Sequence, residues 1–107
     1  MIDIASICKC FEDDKVLYSS HARREMLQEE LGAITDKEVF EAIQKGETIT
    51  QYPDDKPYPS TLIFGLTNLD RPIHTVCAFD KDEDRVIVVT VYEPDPNRWI
   101  EFRRRRP

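Results

Sequence analysis

The sequence predicts an α+β domain with two to three helices at its start and an antiparallel sheet of about four strands after them. Two observations lead to this order. Apolar residues repeat with a helical period up to Gly46 and with the pattern of extended chain beyond it. Short polar links and prolines then divide the extended part into pieces of hairpin length. The chain has 107 residues, the size of one domain, so we expect residues 1–107 to share a single core.

The first two helices are predicted from apolar stripes. Helix one covers residues 2–11, and the acidic residues 12–14 end it. Its stripe consists of Ile4, Ile7, Cys8 and Phe11. Ser19 and Ser20 are favourable N-caps for a second helix that runs to about residue 31 and is followed by Gly32. The side chains expected to face the core from this helix are Met26, Leu27 and Leu31.

A capping box predicts the third helix. Thr35 and Glu38 have the spacing at which each side chain can bond the backbone N–H of the other residue. Gly46 ends the pattern, so the helix covers about residues 35–45. Its inward stripe consists of Val39, Ala42 and Ile43.

Four strands are predicted in the second half of the chain, over residues 47–52, 60–67, 73–80 and 85–93. The polar links 68–71 and 81–84 are short enough for hairpins, so the sheet should be an antiparallel meander. Residues 53–59 are rich in proline and form a loop. The last strand is apolar at both parities, which indicates a central position with both faces covered.

Two short segments are left beside these elements. Residues 16–18 are apolar and predict either a brief strand or an extended connector. Trp99 and Phe102 are expected to pack a short terminal helix back onto the sheet. The domain therefore divides into an N-terminal helix and linker (1–14), a main body (15–102) and a basic tail (103–107).

Charge is unevenly distributed along the chain. The last ten residues carry five arginines and one glutamate, a net charge of +4, whereas the other 97 residues carry ten Lys/Arg and twenty Asp/Glu, a net charge of −10. An acidic body repels a phosphate backbone. The arginine run at 103–106 is either a solvated chain end or a local binding element for anions.

The sequence favours a cytoplasmic protein. The first residues lack the basic segment of a signal peptide, and no apolar run approaches the roughly 18 residues that span a bilayer. The three cysteines, Cys8, Cys10 and Cys77, are expected to be reduced thiols. They and the two histidines lack the spacing of a zinc site, so we expect no metal and no other cofactor.

Four residues are candidates for a functional site. His21 and Arg24 are neighbours at i, i+3 on the second helix, away from its apolar stripe, and such a pair suits acid–base chemistry or phosphate binding. A solvated helix face is the alternative. His74, within a strand, is either a hydrogen-bonded core residue or a site residue on an uncovered sheet face. Tyr92 closes the last strand beside Glu93, where it either edges a cleft or packs at the sheet rim.

Several of these segments together resemble a bacterial family catalogued as domain of unknown function 4258. The likeness spans about residues 18–105 and includes Ser20-His21-Ala22, the proline-rich loop 52–60 and the segment 91–95. The positions that match the family motif are His21, Arg24, Tyr58, His74, Tyr92, Glu93 and Trp99. The resemblance implies a group of proteins without implying which of these residues is catalytic.

The same pattern is similar to the RelE/BrnT-like toxin superfamily. That resemblance implies helices before or beside a small antiparallel sheet, and cleavage of messenger RNA without a metal or cofactor in several members. It also implies a partner antitoxin that neutralises the protein. Toxins of that superfamily are generally basic, whereas the body of this chain carries a net charge of −10.

Two functions follow as hypotheses. The first is a toxin-like, metal-independent ribonuclease in which His21 is a general acid or base, Arg24 stabilises the phosphate, and Tyr92 or His74 assists. Its partners would be RNA and an antitoxin-like protein. The second is a non-catalytic protein-interaction module or homo-oligomer of the same fold, whose acidic body meets a basic partner. Neither hypothesis involves a membrane.

Overall fold

A computed structural model of the chain describes residues 3–107 and shows an α+β fold with three helices and a five-stranded mixed sheet. The helices are α1 (Ile4–Glu12), α2 (Ser20–Gln28) and α3 (Asp36–Gln44). The strands of the sheet are β1 (Val16–Tyr18), β2 (Glu47–Tyr52), β3 (Ser60–Leu66), β4 (Pro72–Asp80) and β5 (Arg85–Tyr92). A two-stranded hairpin, β6 (Trp99–Ile100) and β7 (Arg104–Arg105), comes last. No helix within the described residues is long and apolar enough to cross a membrane.

The sheet has the strand order β1-β5-β4-β3-β2. Strands β2 to β5 form the predicted antiparallel meander. The prediction of about four antiparallel strands needs one correction, because β1 adds a fifth strand in parallel with β5. Most of the chain separates these two strands, so no local turn signal announces their pairing. As a result the middle strand is β4, and β5 lies between β1 and β4.

Side-chain caps begin α1 and α3. Asp3 accepts a hydrogen bond from the backbone N–H of Ser6 at 2.8 Å, and α1 begins one residue later. The predicted start at residue 2 lies outside the described residues. The predicted capping box of α3 is confirmed, because Thr35 Oγ1 accepts from the N–H of Glu38 at 3.1 Å and Glu38 Oε1 accepts from the N–H of Thr35 at 3.0 Å.

Helix α2 is shorter and less buried than predicted. It ends at Gln28, and the buried residues of its face are Ala22 and Met26. The expectation that Leu27 and Leu31 face the core is wrong, because their side chains are 76% and 63% exposed. The physical reason is the position of α2 beside the edge of β5, where a helix buries only a narrow stripe.

The core lies between the three helices and one face of the sheet. Helix α3 approaches β3 so closely that Gly65 faces the backbone of Ala42 with no room for a side chain. A Cβ at Gly65 would lie 1.8 Å from the Ala42 carbonyl oxygen. The fully buried residues of this core include Ile7, Val39, Ile43, Ile63, Ile73, Cys77, Val86, Val88 and Val91.

Arg71 links four parts of the fold. Its guanidinium donates to Glu93 Oε1 at 2.6 Å, to Glu38 Oε2 at 3.0 Å and to the carbonyl oxygens of Gly32 and Ala33. The Arg71, Glu38 and Glu93 side chains are all at most one quarter exposed. Burial alone would raise the pKa of Glu38, but hydrogen bonds from Thr35 and Arg71 lower it below its usual value. The capping carboxylate of α3 is therefore also held by the start of β4.

The predicted terminal helix around Trp99 and Phe102 is wrong, because these residues belong to the β6–β7 hairpin. The backbone N–H of Arg103 donates to the carbonyl of Ile100 at 3.0 Å. Glu101 and Phe102, between them, both have positive φ, 53° and 62°, as in a type I′ turn. Neither residue type favours that conformation, so the turn has no recognisable sequence signal.

We expect Gly65→Ala to lower the free energy of unfolding by roughly 3 kcal/mol or more, because the methyl group forces α3 away from β3. Denaturant unfolding followed by circular dichroism measures the change. Gly32→Ala is the matched control, because no atom lies within 4 Å of its Cβ position and only its φ of 110° opposes the change, at about 1 kcal/mol. Equal losses in the two variants would contradict the close approach at Gly65.

We expect Arg71→Ala to lower the free energy of unfolding by about 2–4 kcal/mol, because two part-buried carboxylates lose their cation. Arg23→Ala is the control, since Arg23 pairs with Asp36 at the surface and should contribute no more than about 1 kcal/mol. The same unfolding measurement compares them. A loss at Arg71 no larger than that at Arg23 would show that the part-buried ion pairs of Arg71 add no more stability than a surface pair.

Candidate functional site

A cleft of about 460 Å³ lies between β2 and the C-terminal hairpin. Its lining includes the aromatic residues Tyr52, Tyr92 and Trp99 and the arginines Arg103, Arg104 and Arg105. No Asp or Glu occurs among the described residues that line it. The cleft therefore combines positive charge with aromatic surface, in a chain whose remaining residues are strongly acidic.

A bulge in β5 directs Tyr92 towards this cleft. Cys77 pairs with Val88 and Val76 pairs with Thr90, so Val89 is an extra residue. Val86 and Val88 face the core before the bulge, and Val91 faces it afterwards. The change of parity turns Tyr92 to the opposite face, where it pairs with His74 across the strands. The bulge therefore explains why the core-facing valines of β5 occur at both parities.

His74 is completely buried beneath the hairpin and bonded at both ring nitrogens. Nε2 lies 2.6 Å from the carbonyl oxygen of Phe102, and Nδ1 lies 3.1 Å from the Tyr92 hydroxyl. Because a carbonyl only accepts, Nε2 carries the proton in this arrangement. The neutral ring then accepts a hydrogen bond from the Tyr92 hydroxyl at Nδ1. His74 is thus buried and hydrogen-bonded, and it orients Tyr92. This position corresponds to the first of the two alternatives for His74, a hydrogen-bonded core residue.

Burial shifts the pKa of both members of this pair. Burial lowers the pKa of His74, and the bond to Phe102 opposes that shift. Burial, together with the nearby Tyr52, raises the pKa of Tyr92 to about 12. Both groups are consequently neutral at pH 7, and the pair can pass a proton without holding a fixed charge.

The arginines of the hairpin rest on aromatic rings. The Arg103 guanidinium lies 4.9 Å from the centre of the Phe64 ring and also pairs with Glu47. The Arg105 guanidinium lies 5.5 Å from the Trp99 ring. Such stacking leaves the N–H groups at the edge of the Arg105 guanidinium free to donate to an oxyanion, whereas Arg103 already donates to Glu47 and to the carbonyl oxygen of Glu101. Arg103, Arg104 and Arg105 belong to the arginine run of the sequence but lie outside the predicted site, because nothing local predicts the hairpin that carries them.

His21 and Arg24 lie elsewhere, on the exposed face of α2. His21 Nε2 is 3.3 Å from Glu25 Oε1, and its side chain is 58% exposed. Neither His21 nor Arg24 lines the cleft. The structure therefore brings together His74 and Tyr92 of the four predicted residues, and their roles and those of His21 and Arg24 stay predictions.

The carboxylates of α2 bond the outer edge of β5. Glu25 Oε1 accepts from the N–H of Val91 at 3.1 Å, and Glu29 Oε2 accepts from the N–H of Glu93 at 3.4 Å. These amides lie beyond the three residues that β1 covers. His21 is therefore linked through Glu25 to the backbone next to Tyr92.

Metal-binding residue types do not converge in the part of the chain that the structure describes, where no group of three His, Cys, Asp or Glu side chains is placed to hold an ion. The thiols of Cys10 and Cys77 are buried, and burial raises the pKa of both. What the cleft can do chemically rests on arginine, tyrosine and histidine.

Comparison with known proteins gives one match. The model of a family described as Domain of unknown function (DUF4258) matches residues 18–93, which include α2, α3 and all five strands of the sheet except the first two residues of β1. No curated protein and no solved structure matches the chain.

The burial of His74 makes stability depend on pH. Its pKa in the folded chain is below the ordinary value of about 6.5, so the unfolded chain binds more protons just below that pH. The free energy of unfolding should therefore fall as pH falls from about 6.5 towards the folded pKa. Urea titrations between pH 5 and 7 measure the slope. His74→Gln should flatten it, whereas His21→Gln, at the exposed histidine, should not; equal slopes in all three proteins would contradict the burial effect.

Proposed function

The chain belongs to the family described as Domain of unknown function (DUF4258), and from that premise we propose that it cleaves single-stranded RNA without a metal, as a toxin-like endoribonuclease. One observation supports the proposal more than any other. Three arginines and Tyr92 line one cleft, and the Tyr92 hydroxyl is hydrogen-bonded to His74, which is buried behind it. Metal-free RNA cleavage requires a group that moves protons and a cation that stabilises the phosphate, and these residues supply both.

RNA binding would rest on the hairpin. Arg104 and Arg105 offer guanidinium N–H groups to the phosphate oxygens, and the partly exposed ring of Tyr52 offers a surface for a base. The net charge of −10 on the rest of the chain limits this contact to a short stretch of backbone. Three of the fifteen Lys and Arg residues line the cleft without an acid among its described lining residues, which gives an otherwise acidic protein a local site for a phosphate.

The reaction proceeds by attack of the ribose 2′-oxygen on the adjacent phosphorus. Tyr92 accepts the 2′-hydroxyl proton at Oη and passes its own proton to His74 Nδ1. The arginines stabilise the negative charge of the phosphorane. The bond from phosphorus to the 5′-oxygen then breaks, and the proton returns through Tyr92 to that oxygen. The products are a 2′,3′-cyclic phosphate and a 5′-hydroxyl.

The resemblance to RelE/BrnT-like toxins supports the finer parts of the proposal. These are a fold of the RelE type, a cytoplasmic site of action where messenger RNA is available, and neutralisation by an antitoxin-like protein. In this proposal His21 acts from α2 through Glu25, which bonds the backbone beside Tyr92, and Arg24 on the same helix contacts the phosphate.

A second candidate function is a non-catalytic interaction module or homo-oligomer of the same fold. It is favoured by the state of His74, which has no exposed surface and bonds at both ring nitrogens. In that case the Tyr92–His74 pair only fastens the hairpin to the sheet. Size-exclusion chromatography with light scattering tests the homo-oligomer directly.

We expect Tyr92→Phe to reduce cleavage of a labelled 12-nucleotide single-stranded RNA at least 100-fold, because the phenol is the proton carrier. Its affinity for the all-deoxy oligonucleotide of the same sequence, measured by fluorescence polarisation, should change less than about twofold because no arginine is altered. The double variant Arg104→Ala/Arg105→Ala should instead weaken binding about tenfold and reduce its dependence on salt.

Arg98→Ala is the matched control, since Arg98 is an exposed arginine of the same segment that does not line the cleft. His21→Ala and Arg24→Ala test the roles predicted on α2. If the wild-type protein binds the RNA but releases no cyclic-phosphate product, the ribonuclease proposal is wrong and the interaction module is favoured. Cleavage that survives in Tyr92→Phe would remove Tyr92 from the mechanism.

A further inference from the structure

A second groove lies on the other side of the C-terminal hairpin and has the opposite charge. Its volume is about 550 Å³, and its floor is apolar, formed by Leu31, Phe102 and three prolines. Four carboxylates, from Glu29, Glu30, Glu93 and Asp95, also line the groove, and that of Glu93 is paired with Arg71. No Lys or Arg occurs among the described residues that line it. We call this the acidic groove.

The acidic groove adjoins apolar surface that the fold does not use. Leu31 is 63% exposed, and Leu27, four residues earlier in the last turn of α2, is 76% exposed. Both lie outside the core, although they continue the apolar pattern of the helix. Exposed leucines beside an acid-rimmed apolar floor are typical of a surface that another chain covers.

We propose that the acidic groove binds a partner protein through a short amphipathic segment that carries Lys or Arg on both sides of a large apolar residue. The apolar residue occupies the floor beside Leu31, and the cations meet Glu30 and Asp95 at the rim. The charge of the groove selects such a segment and repels an acidic one. This inference concerns a different surface from the cleft and does not depend on RNA cleavage.

A second copy of the chain fits the groove less well than a separate partner. The basic segment of this chain is the hairpin itself, and its apolar residue Phe102 is already packed against Phe64, with 5.9 Å between ring centres. Its carbonyl is also bonded to His74. To fill the groove of another copy, the hairpin would have to leave its own sheet.

The acidic groove and the cleft lie on opposite sides of the same hairpin, so a partner bound in the groove affects the cleft. Phe102 lines the groove, and its carbonyl oxygen is the partner of His74 Nε2 beneath the cleft. Glu93 of the groove follows Tyr92 directly in the chain. A partner seated in the groove therefore contacts the element that carries the cleft arginines.

Titration of isotope-labelled full-length protein with a synthetic 12-residue helical peptide of lysine and leucine tests the proposal. We expect amide shifts concentrated at residues 27–31 and at Glu93 and Asp95, and a dissociation constant that rises at least threefold in Leu31→Ser and in Glu30→Gln. The controls are Leu69→Ser, at a leucine that is 92% exposed, and Glu83→Gln, at an exposed acid of the β4–β5 turn; both should bind like wild type.

Two further peptides separate charge from apolar contact. A glutamate–leucine peptide should not bind, and a lysine–serine peptide should bind at least threefold more weakly than the lysine–leucine peptide. The proposal is overturned if the lysine–leucine peptide does not bind or if the amide shifts map to another surface. It is also overturned if Glu30→Gln and Glu83→Gln weaken peptide binding equally. Concentration-dependent self-association that Leu31→Ser abolishes would also overturn it and assign the groove to a second copy. Because no RNA is present, none of these outcomes depends on the cleavage proposal.

Discussion

The hydrogen bonds of Arg71 connect three parts of the chain that are distant in sequence. Its guanidinium bonds the connection between α2 and α3, the first turn of α3 and the residue after β5. Apolar packing sets the distance between a helix and a sheet but allows sliding, whereas directed bonds to a part-buried cation fix the register. The end of β5 is held in this way, and both the cleft and the acidic groove begin there.

The hairpin gives the molecule two surfaces of opposite charge. Its turn places two ordinary residues in left-handed backbone, which costs free energy that the surrounding contacts must offset. The bond from His74 to the Phe102 carbonyl and the packing of Phe102 on Phe64 supply those contacts. A buried histidine thus keeps the arginines on one side of the hairpin, with the acidic groove on the other.

Local signals were sufficient wherever one segment determines its own structure. The Thr35–Glu38 box predicted the start of α3, and the polar links predicted the hairpins of the meander, because caps and turns act over a few residues. Pairings between distant segments were not predictable in this way. The parallel contact of β1 with β5 and the hairpin at Glu101 depend on tertiary contacts that outweigh local preference.

In the candidate site, too, residue types can be predicted from local sequence but their contacts with distant segments cannot. His74 and Tyr92 were identified from residue type, but their pairing depends on the extra residue Val89, which a strictly alternating pattern conceals. His21 and Arg24 were identified by their helical spacing, which indicates that two side chains are neighbours but not what lies opposite them. The partner of His21 is Glu25, whose second bond is to the backbone of β5.

The bonds from Glu25 and Glu29 to the edge of β5 also limit the addition of a strand from a second molecule. An open strand edge is a template on which a second molecule can add a strand, and such addition begins aggregation. With β1 covering one part of β5 and carboxylates covering the next, that edge has no free row of amides to offer. The opposite edge of the sheet is β2, which is interrupted by a bulge between Thr48 and Thr50. The two edge strands of the sheet are thus the three-residue β1 and the bulged β2, and both offer a poor template for an added strand.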